Sequence, residues 1–88
     1  MYTTTFVGKF SGDGECFCWK TDLETYKRYD RHWEAEIAYK QEFNIEQGYA
    51  KDYGIYEDNW ELHPTSLFKH LNVQKKYKIT INVEEVND

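Results

Sequence analysis

The chain is poor in proline, cysteine and methionine, and it has no long apolar run. It contains one Pro, two Cys and one Met among 88 residues. No window approaches the roughly 20 consecutive apolar residues that a membrane span needs, and residues 1–5 lack the basic and apolar regions of a signal peptide. These absences predict a cytoplasmic protein with no membrane partner.

Metal-binding and nucleophilic motifs are also lacking. Cys16 and Cys18 are separated by one residue, which in a strand sends both side chains to one face, so we expect free thiols rather than a disulfide. Neither cysteine lies at a helix N-terminus, where thiolates are stabilised. His32, His63 and His70 do not have the spacing of a structural zinc knuckle. We predict no metal and no cofactor; a zinc or thiol enzyme is an alternative that elemental analysis and thiol titration would test.

Two further kinds of catalytic site are not supported. Gly8, Gly12 and Gly14 lie in a predicted hairpin, and no GK[ST] sequence follows a strand, so the pattern of a phosphate-binding loop is missing. Carboxylates are plentiful, but 88 residues leave little volume for a cleft in which two of them could act on a sugar. We therefore expect a protein that is not an enzyme.

Aromatic and acidic residues are abundant instead. Sixteen residues are Phe, Trp or Tyr, 31% are charged, and the formal net charge is −5. Aromatic side chains beyond the needs of a small core indicate a contact surface. The length predicts a single compact domain over residues 1–88, and the 40% of hydrophobic residues indicates that it folds alone.

The clearest local pattern is an N-terminal hairpin. Residues 2–20 read as two strands joined by a Gly-rich turn. We expect Phe10 to pair with Glu15, and the ring of Phe17 would then fit over Gly8. In this register one face of the hairpin collects aromatic residues, which predicts that this face covers the core.

A helix and an ambiguous segment follow. Thr21 and Glu24 form the capping-box pattern that begins a helix, which we expect to end near residues 30–32. Residues 32–42 alternate apolar and polar side chains with period two, although their Glu, Ala and Lys residues favour a helix. We predict a strand there, with one continuous helix over residues 22–39 as the alternative.

The rest of the chain alternates short elements. Residues 49–56 are predicted to form a strand, residues 57–59 an acidic turn, Pro64 the first turn of a short helix, and residues 77–83 a last strand. The order ββαββαβ predicts an α+β fold with two short helices and a mainly antiparallel sheet of about five strands. The apolar positions define the predicted core: Phe6, Phe10, Phe17, Trp19, Leu23, Tyr26, Ile37, Ile55, Leu67, Phe68, Leu71, Ile79, Ile81 and Val83.

The strongest functional signal lies in residues 40–63. This segment has a formal charge of −4 and interleaves carboxylates with rings. Such a surface suits a basic groove on another protein, because rings act as anchors and carboxylates steer the encounter. The alternative is that the rings line the core and the acids are merely solvated. The predicted partner-binding residues are Phe43, Glu46, Tyr49, Asp52, Tyr53, Tyr56, Glu57, Asp58, Trp60 and Glu61.

Two basic clusters support a second hypothesis, a domain that binds single-stranded nucleic acid. Cations near exposed rings are typical of such domains, although an acidic chain must concentrate its positive charge on one side to hold phosphates. The alternative is that the clusters mark a helix C-terminus and a strand edge, where cations are common. They are Lys27, Arg28 and Arg31 in the first cluster and Lys75, Lys76 and Lys78 in the second.

Residues 67–86, LFKHLNVQKKYKITINVEEV, resemble the short helix, basic turn and terminal amphipathic strand that close many small uncharacterised accessory proteins of bacteriophage and prophage genomes. The resemblance covers 20 of 88 residues and carries no catalytic residue. It implies a protein that blocks or redirects a host enzyme by stoichiometric binding. Together with the acidic segment, it predicts a non-enzymatic accessory protein, encoded by a phage or mobile element, that inhibits a protein of the host cytoplasm as a monomer or homodimer.

Overall fold

The computed structural model describes residues 1–13, 15 and 17–87. Three strands form one antiparallel sheet in the order β1-β2-β3. The α+β class is as expected, but the described residues form three strands rather than about five, and three helices rather than two. The elements are β1 (Lys9–Gly12), β2 (Phe17–Thr21), α1 (Leu23–Tyr29), α2 (Trp33–Glu46), β3 (Trp60–Leu62) and α3 (Pro64–Leu67).

The N-terminal hairpin forms in a different register from the one predicted. Phe10 pairs with Trp19 instead of Glu15. Its ring centre is 5.5 Å from that of Trp19 and 5.8 Å from that of Phe17, and such aromatic neighbours across two strands stabilise the observed pairing. This register also places the three rings on one side of the sheet, as predicted. Phe10 and Phe17 are exposed there, however, so this end of the face does not cover the core. Gly14, in the predicted turn, lies outside the described residues.

Gly8 makes room for a different neighbour from the one predicted. A Cβ atom on Gly8 would lie 3.1 Å from the Cγ2 atom of Thr21 and 3.3 Å from the ring of Phe6, so the ring of Phe17 is not the reason for this glycine. Thr21 is buried, and its hydroxyl donates a hydrogen bond of 3.2 Å to the backbone carbonyl of Trp60. This threonine therefore belongs to the sheet rather than to a helix cap.

Helix α1 is capped one residue later than the capping box predicted. The carboxylate of Asp22 accepts a hydrogen bond of 2.7 Å from the backbone N–H of Thr25, so Asp22 takes the place of Thr21 as N-cap. This hydrogen bonding lowers the pKa of Asp22. The helix ends at Tyr29 with Asp30 as its C-cap, which confirms the predicted end.

Helix α2 replaces the strand predicted over residues 32–42. Glu, Ala, Lys and Gln make up most of the helix and have high helix propensity. Trp33, Ile37 and Asn44 share one helical face and turn it toward the core, so the apolar positions fit a helix as well as a strand. The alternative of one helix over residues 22–39 is also wrong, because a turn separates α1 from α2.

The centre of the core consists of Tyr26, Ile55 and Trp60. The rings of Tyr26 and Trp60 are 5.0 Å apart, and the indole N–H of Trp60 donates a hydrogen bond of 2.7 Å to the carbonyl of Ile55. Ile55 enters the core from a series of turns that replaces the strand predicted over residues 49–56. Burial here follows from tertiary contacts and not from strand alternation.

The described residues of the C-terminal part of the chain belong to no helix or strand. Residues 76–87 form no strand, so the strand predicted over residues 77–83 is not present. The radius of gyration is 15.3 Å, against about 12 Å for an average compact domain of this length, which fits a segment that leaves the body. The predicted core residues that are exposed are Phe10, Phe17, Phe68, Ile79, Ile81 and Val83.

Two other sequence expectations concern the thiols and the membrane. Cys18 is buried and carries a free thiol, whereas Cys16 lies outside the described residues. In the part of the chain that the structure describes, no helix is both long enough and apolar enough to cross a bilayer.

Candidate docking surface

The residues predicted to bind a partner lie on three parts of the fold. Phe43 and Glu46 are on the last turn of α2, Trp60 and Glu61 are in β3, and the others lie on the turns of residues 49–59. Trp60 is only 2% exposed and belongs to the core, so it is not part of the surface. We name the exposed members the acidic-aromatic surface: Phe43, Glu46, Tyr49, Asp52, Tyr53, Tyr56, Glu57, Asp58 and Glu61.

A buried side chain fixes the shape of the turns. Asn44 is 5% exposed, and its amide donates hydrogen bonds of 2.6 Å to the carbonyl of Tyr53 and 3.4 Å to that of Lys51. Its own backbone carbonyl accepts a hydrogen bond of 2.8 Å from the N–H of Tyr49. One residue of α2 thus connects the helix to three positions of the loop that follows.

Two glycines let the backbone bend around Asn44. Gly48 has a φ of 78° and Gly54 a φ of 76°, which lie in the left-handed region that other residues rarely adopt. Gly48 follows the C-cap Gln47, the position where a left-handed glycine commonly ends a helix. The loop conformation therefore depends on both local sequence and the buried amide.

Tyr49 and Tyr53 form a stacked pair on this loop. Their ring centres are 4.7 Å apart, the ring planes differ by 22°, and both side chains are exposed. Tyr56 is the most exposed ring of the surface, at 77%. A ring already held in one orientation loses little side-chain entropy when a partner covers it. The stacked pair is therefore preorganised to act as an anchor.

Helix α2 carries further exposed apolar side chains close to the loop in sequence. Tyr39 and Phe43 are one turn apart and both exposed, as is Ile45 near the end of the helix. Tyr39 and Ile45 were not among the predicted partner-binding residues, because the period-two interpretation placed Tyr39 on the apolar face of a strand. If the segment had been read as a helix, the i, i+4 spacing of Tyr39 and Phe43 would have indicated that the two rings lie side by side on one face.

A cleft of about 380 Å³ lies where α2 meets β3, next to Glu61. Within it the ammonium of Lys40 is 4.0 Å from the centre of the Trp60 ring. Burial lowers the pKa of Lys40, and this effect exceeds the opposing attraction of Glu61 and Glu36. The long side chain of Lys40 thus covers one side of the Trp60 ring, although burial there disfavours the charged form of its ammonium group.

Tyr26 lines the same cleft. Burial raises the pKa of Tyr26 well above its usual value of 10.0, and a hydrogen bond to the carboxylate of Asp30 adds to the shift. The phenol is therefore a neutral hydrogen-bond donor over the physiological pH range. Both perturbed groups of the cleft owe their shifts to burial at the core, which gives them a structural explanation.

A separate groove of about 480 Å³ gathers basic residues. Lys27, Arg28 and Arg31 line it from α1 and the residues just after it, and Lys69 and His70 line it from the loop after α3. Among the described residues that line this groove, Asp30 is the only carboxylate. The fold therefore concentrates positive charge on one side of a chain whose net charge is −5.

Several of these cations lie against rings. The ammonium of Lys27 is 4.6 Å from the centre of the Trp33 ring, and the guanidinium of Arg28 is 4.9 Å from that of Tyr29. The ammonium of Lys69 donates a hydrogen bond of 2.9 Å to the carbonyl of Tyr29, which holds the loop after α3 against α1. The second predicted basic cluster, residues 75–78, does not line this groove.

Some contributors to these two sites are not found by sequence reasoning. Asn44 reads as the start of a polar connection, and the available signal is an Asn in a helical pattern four residues before a glycine. Lys69 and His70 read as a helix C-terminus, and only the tertiary structure brings the loop after α3 to the basic cluster, where Lys69 bonds to the carbonyl of Tyr29.

No metal site supports a different interpretation of these residues. Among the described residues, no group of three or more His, Cys, Asp or Glu side chains could hold a metal ion. Comparison of the chain with protein-family models, with curated proteins and with solved structures finds no match in any of the three.

Proposed function

We propose that this chain is a non-enzymatic accessory protein that binds another protein through the acidic-aromatic surface. The observation that carries the proposal is the stacked and exposed pair of Tyr49 and Tyr53 on a loop held by the buried Asn44. Exposed aromatic side chains on a fixed backbone have the character of binding hot spots. A purely structural role does not explain why the stack stays open to solvent.

The charge of the surface indicates the chemistry of the partner. Five carboxylates accompany the rings, and Lys51 is the only basic residue between Glu46 and Glu61. This distribution favours a partner with a Lys- or Arg-rich groove, toward which the carboxylates would steer the encounter. The resemblance of residues 67–86 to bacteriophage accessory proteins supports a host protein as this partner and inhibition as the outcome.

The proposal is tested by affinity capture with a variant that removes the anchor. Tagged wild-type protein, the double variant Tyr49→Ala/Tyr53→Ala and the control Phe10→Ala are incubated with a nuclease-treated bacterial lysate, and recovered proteins are quantified by mass spectrometry. Phe10 is a matched control because it is 55% exposed, against 58% for Tyr53, and lies in β1.

We expect one stoichiometric protein with the wild type and with Phe10→Ala, and its loss with the double variant. Its recovery should fall as salt rises, because the acidic residues contribute attraction. Circular dichroism should show that all three proteins are folded. Equal recovery by the double variant, or no stoichiometric protein with the wild type, contradicts the proposal.

Binding of single-stranded nucleic acid is a second candidate function, favoured by the basic groove. Its cations lie on the faces of Trp33 and Tyr29, next to a groove that could follow a phosphate backbone. This concentration of charge meets the requirement that an acidic chain must satisfy to bind phosphates. Protein binding is the first candidate because its anchor rings are both exposed and fixed.

Fluorescence anisotropy with a labelled single-stranded oligonucleotide tests the second candidate. The charge-reversal variant Arg28→Glu/Arg31→Glu should abolish binding, whereas the equally charged control Lys75→Glu/Lys76→Glu should retain most of it, because only the first pair lines the groove. The logarithm of affinity should fall with the logarithm of salt concentration by about 0.7 per phosphate contact. If the two variants weakened binding equally, the groove would not be the site that binds the oligonucleotide.

A further inference from the structure

The last residues of the chain have the pattern of a strand without a strand partner. We name residues 78–87 the C-terminal arm; all of them are exposed, and none lies in a helix or strand. Ile81 and Val83 are 78% and 82% exposed. Within the described chain, the final backbone-to-backbone hydrogen bond joins the N–H of Lys75 to the carbonyl of Asn72. The N–H and C=O groups of the arm are therefore available for pairing.

The composition of the arm disfavours this exposed state. Ile79, Ile81 and Val83 recur at every second position, so an extended backbone projects all three to one face. β-branched side chains favour strands, and their exposure to water is unfavourable compared with burial. An apolar strand face next to unpaired backbone groups is a template for pairing with a sheet edge.

The sheet has one edge where apolar side chains lack cover. β1 and β3 are its two outer strands. At the β3 edge, Trp60 and Leu62 are already buried. At the β1 edge, Phe10 is exposed on the same face, and so is Phe17 opposite the end of β1. A further strand would thus bury more apolar surface beside β1 than beside β3.

We propose that two copies of this chain exchange their C-terminal arms, each arm adding as an outer strand beside β1 of the other copy. Each copy supplies one unpaired segment with the pattern of a strand and one sheet edge with exposed rings, so the exchange pairs each arm with an edge and closes as a twofold dimer. In this arrangement Ile79 and Ile81 cover the exposed ring of Phe10. With Val83 and Val86, these two isoleucines form a run of exposed aliphatic side chains.

The base of the arm is joined to the preceding turn by one hydrogen bond. The hydroxyl of Tyr77 accepts it from the backbone N–H of Asn72, at 3.0 Å. An extended arm of ten residues reaches about 33 Å. The four residues of β1 span about 13 Å, so the arm is long enough to pair along the whole of β1.

The oligomeric state of the full chain tests the proposal. Light scattering coupled to gel filtration, over a range of protein concentrations, should give twice the chain mass of 10.7 kDa. Ile79→Glu/Ile81→Glu should weaken dimerisation by roughly 10⁴-fold, because the twofold dimer loses two isoleucine anchors from each of its two arms and each loss weakens association by roughly tenfold. The matched control Thr80→Glu/Asn82→Glu adds the same charge on the opposite face of the arm and should remain dimeric.

A mixed-label experiment identifies which copy receives the arm. In a sample of isotopically labelled and unlabelled chains, NOEs between the Ile79 and Ile81 methyl groups of one copy and the Phe10 ring of another are expected. A chain that stays monomeric at all concentrations overturns the proposal, as does a dimer that survives Ile79→Glu/Ile81→Glu. Arm-to-Phe10 NOEs found only within one copy also overturn it and indicate an intramolecular fourth strand.

Discussion

The side-chain amide of Asn44 donates a hydrogen bond of 2.6 Å to the backbone carbonyl of Tyr53, nine residues further along the chain. This contact links the core-facing side of α2 to the loop that carries the stacked tyrosines. The stability of the helix and the geometry of the proposed binding surface are therefore coupled through one buried polar group.

The first prediction concerns this amide. Asn44→Ala should lower the free energy of unfolding by about 1–2 kcal/mol, because a buried hydrogen-bonding group is lost. Asn44→Asp should lower it by more, since a carboxylate would face carbonyl oxygens with no proton to donate. Chemical denaturation followed by tryptophan fluorescence measures both changes, and NMR should show the loss of NOEs between Tyr49 and Tyr53.

A control variant measures the effect of losing an exposed polar side chain beside the same loop. Gln47→Ala alters a neighbouring exposed residue at the end of the same helix and should change stability by less than about 0.5 kcal/mol. If Asn44→Asp were as stable as the wild type with an intact tyrosine stack, the amide would not be what holds the loop.

The second prediction separates the effect of the aliphatic part of the Lys40 side chain from that of its ammonium group. Lys40→Met keeps an aliphatic cover over Trp60 and removes a charge that burial disfavours, so stability at neutral pH should stay within about 1 kcal/mol of the wild type or rise. Lys40→Ala removes the cover and should lower the free energy of unfolding by about 1–2 kcal/mol. Thermal unfolding of the three proteins measures the difference; a loss of stability with Met as large as that with Ala would show that the cation–π contact, and not the aliphatic cover, stabilises the Trp60 ring.

The third prediction concerns stability at alkaline pH. Because the pKa of Tyr26 in the folded state lies above its ordinary value of 10.0, the unfolded chain loses the phenol proton first. The stability that this group contributes is therefore complete below about pH 10 and is lost as pH rises toward the folded pKa. The lowered pKa of Lys40 has the opposite effect in the same range, but it is common to the wild type and to Tyr26→Phe.

Urea denaturation of the wild type and Tyr26→Phe between about pH 8 and 11 isolates the tyrosine. The free energy of unfolding of the wild type should fall more steeply above pH 10 than that of Tyr26→Phe. Parallel curves for the two proteins would mean that the Tyr26 phenol ionises in the folded protein as readily as in the unfolded chain.

The fourth prediction concerns Gly8. Replacing glycine by alanine usually stabilises a protein by about 0.4–1 kcal/mol through the unfolded state. Here the new Cβ atom would lie 3.1 Å from Thr21, and overpacking of this kind costs about 1–3 kcal/mol. Gly8→Ala should therefore be destabilising and Gly8→Val more so, whereas Val7→Ala, at the exposed neighbouring position, should be nearly neutral in urea denaturation. If Gly8→Ala were stabilising, the backbone at Gly8 would be able to move away from Thr21 to accept the new methyl group.

Some elements of the fold are predictable because their signals are local. Pro64 begins α3 as its fixed backbone angle requires, and the end of α1 near Asp30 follows from the charge pattern. The capping error at Thr21 has an equally local cause, since the next residue, Asp22, is also a good N-cap. These signals depend on a few neighbouring residues, which the sequence shows directly.

The candidate sites are predictable only in part. The sequence places rings and carboxylates together in residues 40–63, but which rings are exposed depends on the core. Trp60 turns inward because its indole N–H finds the carbonyl of Ile55 and its ring meets Tyr26. Asn44 holds the backbone of Tyr53, and the side chain of Tyr53 points outward, where it is exposed and stacked on Tyr49. No local pattern distinguishes these two residues.

By itself the sequence determined composition, charge, the helix and strand propensities and the local stop signals, because these follow from residue types and short spacings. Only the tertiary structure decided that residues 33–46 are helical, since Trp33 and Ile37 fit both a strand and a helix and their partners are distant in sequence. It likewise decided which strands pair. The amphipathic pattern at residues 77–83 favours an extended backbone, but a strand forms only where a second strand supplies its hydrogen bonds.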